Sequence, residues 1–238
     1  MKFLFADDYA VYQGKVTNRR SVQHQGATLI CSLDGVFDLD FGDRWVNRVR
    51  TAFVPSLVKH KFIGNNYNHV FLMFDPDHAL AILLNRNFTY NSNAALIELH
   101  HEIPAVFATT SFAEATQRTI LQLQTILGQS LGLVIDHRVV NVVEHIKQNL
   151  ESRISMQELC VVANLSESRL AHLFREQVGM PIRKYVLWQR MKRAFATAQT
   201  GINLTDAALD GGFADAAHFS RTVSAMFAAS PSEILNNS

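Results

Sequence analysis

Between Arg169 and Arg193 the chain carries Arg169, Arg175, Arg183, Lys184, Arg190, Lys192 and Arg193 against one acid, Glu176. Seven cations so close together can neutralise phosphates and release the counterions around them, so a polyanion is the partner this chemistry suits. The chain as a whole gives no such signal, with 22 Lys and Arg against 21 Asp and Glu. A basic run is also what a solvated helix face looks like, and its place in the fold has to decide between the two.

Other reactive residue types lack the spacing that chemistry needs. Cys31 and Cys160 stand far apart in apolar settings, which excludes a disulfide framework or a cysteine-rich zinc site. In His100-His101-Glu102 adjacent side chains point apart on a helix or strand, so a solvated pair or cap is the expected role. No glycine-rich phosphate loop, serine-centred nucleophile elbow or paired carboxylate spacing is present. Neither a cofactor nor an enzymatic activity is expected. The opening MKFLFADDYAVYQ lacks a signal pattern and no apolar run reaches the length of a membrane span, so a reduced, cytoplasmic protein without membrane contact is expected.

The elements that must position these residues change character along the chain. From about Val22 to Phe74 short apolar runs are bounded by Asp34-Gly35, Gly42-Asp43 and Pro55, the punctuation of antiparallel strands. VFDLDF alternates, with Val36 and Asp38 opposed to Phe37, Leu39 and Phe41, as a half-buried strand does, and Val70 to Phe74 reads as a deeply buried one. After Asp75-Pro76 apolar residues recur every three or four positions, predicting helices over HALAILLN and SFAEATQRTILQLQTIL. Phe112, Ala115, Ile120, Leu123, Ile126 and Leu127 form a stripe expected in the core, and the GQSLG stretch, Gly128 to Gly132, breaks it.

The remainder is helical. Val139, Val143, Ile146 and Leu150 share one face; Ser155 to Glu158 is a capping box, and Leu159 and Val162 are the expected buried face of the short helix it opens. Asn164-Leu165-Ser166 is a turn, after which Ser166 caps a helix carrying Leu170, Leu173, Phe174 and Val178. Two helices joined by a three-residue turn are the helix-turn-helix plan, whose second helix fits the major groove. Pro181 opens a long helix to about Ala198, with Tyr185, Trp188, Met191 and Phe195 inside. The plan then repeats. Thr205 caps a short helix around Asp206 to Asp210, Gly211-Gly212 turn, and Asp215 caps a helix in which Phe219, Val223 and Phe227 match Leu170, Phe174 and Val178.

From Val139 to Leu235 this arrangement resembles the arabinose-regulator (AraC/XylS) family of bacterial transcription regulators, through the tandem units, GF-x-D-x-x-HFSR from Gly212 to Arg221 and SPSE from Ser230 to Glu233. The resemblance implies that Ser168, Ala171 and His172 of the first unit, and Ala216, Ala217, Ser220 and Arg221 of the second, read bases, with Arg175 near phosphate. Val223 stands where the family commonly has Phe, Ala228 where it has Gly, and the closing Tyr-Arg is missing. A weaker grip by the second unit is therefore expected, with most phosphate contact from the first unit and the linker helix. Double-stranded DNA is the implied partner; RNA polymerase, a small-molecule effector and a second copy of the chain are the further candidates.

The N-terminal part resembles the small cupin-like barrels of that family through TAFVPSLVKHKF, Thr51 to Phe62. Metal-dependent cupins bind their ion with a His-x-His plus Glu cluster, whereas here Gln25 and Gly26 follow His24, and His60 has no close ligand partner. His24 and His60 are thus expected to face an apolar ligand pocket, or a filled barrel, with no metal. The expected fold is α+β: an N-terminal small cupin-like β-barrel with trailing helices over 1–130, and an all-α domain of two tandem helix-turn-helix units joined by a long helix over 136–238. A sequence-specific DNA-binding regulator is the function expected, and a cupin-type metal enzyme with a DNA-binding tail is the alternative.

Overall fold

Short apolar runs separated by turn residues build the first half of the chain around one long strand. The computed structural model describes residues 2–18, 21–87, 94–128, 135–227 and 229–235. Its strands are β1 (Lys2–Phe5), β2 (Tyr9–Asn18), β3 (Val22–Gln23), β4 (Ala27–Ser32), β5 (Phe37–Asp40), β6 (Trp45–Val49), β7 (Thr51–Val54) and β8 (Lys59–Phe74). Antiparallel pairing joins β2 to β8 from Tyr9 opposite Phe74 to Asn18 opposite Ile63. The last part of β8 also pairs with β4, and its first part with β3 and β5. β1 flanks β2, β7 flanks β4, and β6 pairs with β5. In β5 Phe37 and Leu39 are buried while Asp38 and Asp40 reach toward solvent, the alternation legible in the sequence.

The sheet is open where a closed barrel was expected, because β1 and β7 do not pair. The aromatic side of β1 is taken up elsewhere, with the Phe5 ring stacked on Phe195 at 4.6 Å. On β6, which among the described strands pairs with β5 alone, Trp45 is half exposed. Tyr12, Ile30, Phe37, Leu39, Phe62 and Phe71 fill one side of the sheet. Val11, Leu29, Cys31, Phe53, Leu72 and Phe74 fill the other, against α1 (Ala79–Asn87), α2 (Ala94–Thr109) and α3 (Phe112–Gly128). Of the expected helical stripe, Ala115 and Leu123 are buried and Phe112 and Ile120 half-buried. The side chains of Ile126 and Leu127, and most of the GQSLG stretch, lie outside the described residues.

The second half comprises α4 (His137–Gln148), α5 (Met156–Ala163), α6 (Glu167–Val178), α7 (Ile182–Gln199), α8 (Leu204–Asp210), α9 (Ala216–Phe227) and α10 (Pro231–Leu235). Val139, Ile146, Leu159, Leu170, Phe174, Val178 and Tyr185 form the core of its first unit. The second unit's core is shared with the sheet, since Phe5, Ala10 and Met73 pack with Trp188, Phe195, Phe219, Val223 and Phe227. Burying large side chains of this kind contributes about 1.5–3 kcal/mol each. A polar group sits inside the same interface: Asp75, just after β8, is fully buried and accepts hydrogen bonds from Trp188 Nε1 (2.8 Å), Gln189 Nε2 (2.9 Å) and Lys192 Nζ (2.7 Å). Nearby, Lys147 on α4 donates to Asp77 at 2.7 Å. Among the described residues no helix is long and apolar enough to cross a membrane.

Candidate nucleic-acid interface

Local interactions set both ends of the short helix α5. The Ser155 hydroxyl accepts from the Glu158 amide (3.2 Å) and the Glu158 carboxylate accepts from the Ser155 N–H (3.4 Å), the reciprocal cap the sequence predicts. Asn164 ends α5 in the left-handed region (φ 50°), a conformation asparagine tolerates better than most residues. Ser166 stands at the N-cap of α6 without a side-chain cap bond. On α6 Leu170, Phe174 and Val178 face inward, leaving Ser168, Ala171, His172 and Arg175 exposed on the outer side.

The second unit repeats the plan with three differences. Asn203, not Thr205, caps α8, its carbonyl oxygen accepting from the amides of Thr205 (3.1 Å) and Asp206 (3.0 Å). Gly212 (φ 84°) supplies the left-handed residue that Asn164 supplies in the first unit, and the turn, Gly211 to Asp215, is two residues longer. Asp215 accepts from the His218 amide (2.6 Å), as predicted. Phe219, Val223, Met226 and Phe227 are buried, while Ala217 and Arg221 are exposed and Ala216 and Ser220 half-buried. Each unit thus presents the side of its second helix that the sequence singled out.

The basic run divides differently from the sequence expectation. Arg169, Arg175 and Arg183 are exposed. Lys192 is 6% exposed, held by Asp75 and the Asp7 carbonyl oxygen. Arg190 donates to the carbonyl oxygens of Leu150 and Ser152, and Arg193 to Asp210 and Glu151. Lys184 donates to Gln23 Oε1 at 3.1 Å. Much of the positive charge on α7 is committed to internal acceptors, so α6 and the start of α7 carry the free cationic surface. A run of cations cannot reveal this, because the acceptors come from distant segments.

His24 and His60 come together inside the N-terminal half, with ring centroids 5.3 Å apart. The His24 ring lies 5.7 Å from Phe227 at the end of α9, and His60 Nδ1 is 3.0 Å from the Val58 carbonyl oxygen. Burial pushes the His60 imidazole below its ordinary pKa. Aromatic side chains occupy the space beside this pair. A small cavity lies between the sheet and α2 and α3, lined by Leu29, Cys31, Val70, Leu72, Ile103 and Phe107 among others; at about 10 Å³ it is the size of one water. Among the described residues no three His, Cys, Asp or Glu side chains are grouped to hold a metal ion. The side chains of His100 and His101 lie outside the described residues; Glu102 is exposed and accepts from Gln122.

An α+β chain whose C-terminal half holds two helix-turn-helix units, each with an exposed second helix, defines a class of DNA-binding regulators. A helix-turn-helix domain model matches residues 159–237. The probable transcriptional regulator LumQ of Photobacterium leiognathi is 29% identical over 191 residues, which is 75% of each chain. The arabinose operon regulatory protein of Salmonella typhimurium is 29% identical over 119 residues, spanning 49% of this chain and 42% of that relative. In fold, ToxT from Vibrio cholerae aligns over 97% of this chain and 98% of that one, with a TM-score of 0.63 at 10% identity. Fatty-acid-bound wild-type ToxT aligns with a TM-score of 0.63 at 12% identity, over 99% of this chain and 97% of that one. The chain is thus similar to transcription regulators of the helix-turn-helix type, the arabinose operon regulatory protein among them, and shares the fold of ToxT.

Proposed function

We propose that the chain binds double-stranded DNA by sequence, with α6 and α9 entering the major groove and the N-terminal half controlling effector response, dimerisation or both. Ser168, Ala171 and His172 meet bases from α6, and Ala216, Ala217, Ser220 and Arg221 from α9, while Arg175 holds phosphate. The carrying observation is that both helices turn their apolar side into a unit core and leave Ser168, Ala171, His172, Arg175, Ala217 and Arg221 exposed, with Ala216 and Ser220 half-buried beside them. An effector role for the N-terminal half is supported by the structural relative, since ToxT has been crystallised with an unsaturated fatty acid. RNA polymerase and a second copy of the chain are the protein partners this reading carries. It assigns no catalytic step to any residue.

Selection of bound duplexes from a random-sequence pool by the full chain tests the proposal. Two recurring elements about one helical turn apart, roughly 10 bp, are expected. Recovery of duplexes sharing no motif would contradict it.

A further inference from the structure

Two segments distant in sequence meet on one side of α7: the chain just after α4, and the C-terminal end of α8 with the turn at Gly211-Gly212 that follows it. Arg190 Nε donates to the Leu150 carbonyl oxygen at 3.0 Å, and its Nη2 to that of Ser152 at 2.8 Å. These acceptors lie just past a helix end, where backbone carbonyls lack intrahelical partners. Gly212 comes so close that a Cβ there would sit 2.0 Å from the Leu150 oxygen and 2.9 Å from Arg190 Nε. One turn along α7, Arg193 donates to Asp210 at 3.1 and 3.3 Å and to Glu151 at 3.1 Å. Asp210 also accepts from the Thr197 hydroxyl at 2.6 Å, and a Cβ on Gly211 would meet the Ala194 Cβ at 2.7 Å.

Leu150, Glu151 and Ser152 belong to the first unit and Asp210, Gly211 and Gly212 to the second. A linker helix by itself fixes the distance along its own axis and leaves each unit able to rock at the two connections. The contacts above remove that freedom by tying the first unit directly to the second. We propose that Arg190 and Arg193 are positioning residues that set the spacing and angle between α6 and α9, and are not phosphate contacts. The inference rests on the DNA-reading function proposed above. It follows that operator spacing is read by this joint: each added base pair moves one element by about 3.4 Å and turns it by roughly 34°, which a rigid pair of helices cannot follow.

The test uses the full chain and the duplex it selects, with one base pair inserted or deleted between the two elements. The wild-type protein should lose about ten-fold in affinity or more, the scale of a mismatched base pair. The double variant Arg190→Lys, Arg193→Ala should lose no more than about three-fold on the same change while keeping its base preference inside each element, which also reports that both units remain folded. Glu151→Ala with Asp210→Asn loosens the joint from its solvent side without altering α7, and should relax spacing in the same direction. If both variants keep the wild-type penalty for each spacing change, the assignment is overturned. A wild-type protein that selects no two-element site would instead defeat the DNA-reading proposal on which the joint depends.

Discussion

Arg221 is the one Lys or Arg after Arg193, and it is exposed on α9 among Asp206, Asp210, Asp215 and Glu233. A lone cation on an otherwise acidic unit contributes little to general attraction, so its value lies in what it touches. Arg221→Ala should cost about 1–3 kcal/mol on the selected duplex and relax preference at one base position, the signature of a bidentate guanine contact. Arg175→Ala should weaken binding to all duplexes alike and reduce the salt slope by roughly one. Fluorescence titration against the selected duplex and single-base variants checks both, and an unchanged preference in Arg221→Ala would make the second unit a brace. At this scale the sequence is readable in part where partners are local, although Ser166, expected to cap α6, makes no side-chain cap bond. The Ser155–Glu158 box and the Asp215 cap are both visible there, whereas α8 is capped by Asn203, three residues before Asp206, and not by the expected Thr205.

Elements follow the same division between near and far. Periodicity located α4 to α9 and β5, because each buries one stripe or one face against its neighbours. It did not locate α2, where Pro104 reads as a breaker yet stands inside the helix. Nor did it anticipate β1 and β2, which lie ahead of the first recognised turn signals. The connection between β8 and α1, marked in the sequence by a change of period after Asp75-Pro76, supplies the buried carboxylate that holds α7. Asp75→Ala should destabilise the full chain by about 3–5 kcal/mol, because it strands Lys192 without its counter-charge in an interface where both are buried. Chemical denaturation of the two proteins checks this. A loss below about 1 kcal/mol would mean that water replaces the carboxylate at little cost.

For the molecule as a whole, the division into a strand-rich first half and a helical second half was legible, and how the halves join was not. The joining surface contains Phe5, Met73, Trp188, Phe195 and Phe227, each of which reads in isolation as core of its own segment. It also consumes Lys192, so the charge that seemed to advertise DNA partly serves the fold. The open sheet has the same origin, as β1 gives its aromatic side chains to α7. The central claim is that the remaining exposed cations, with the outer sides of α6 and α9, bind a duplex. The measurement that tests it most directly is the affinity of the full chain for its selected duplex across a series of salt concentrations. The account predicts that log K falls linearly with log salt, at roughly 0.9 per phosphate contacted, and that a scrambled duplex binds far more weakly throughout. A flat salt response, or equal affinity for the scrambled duplex, would contradict it.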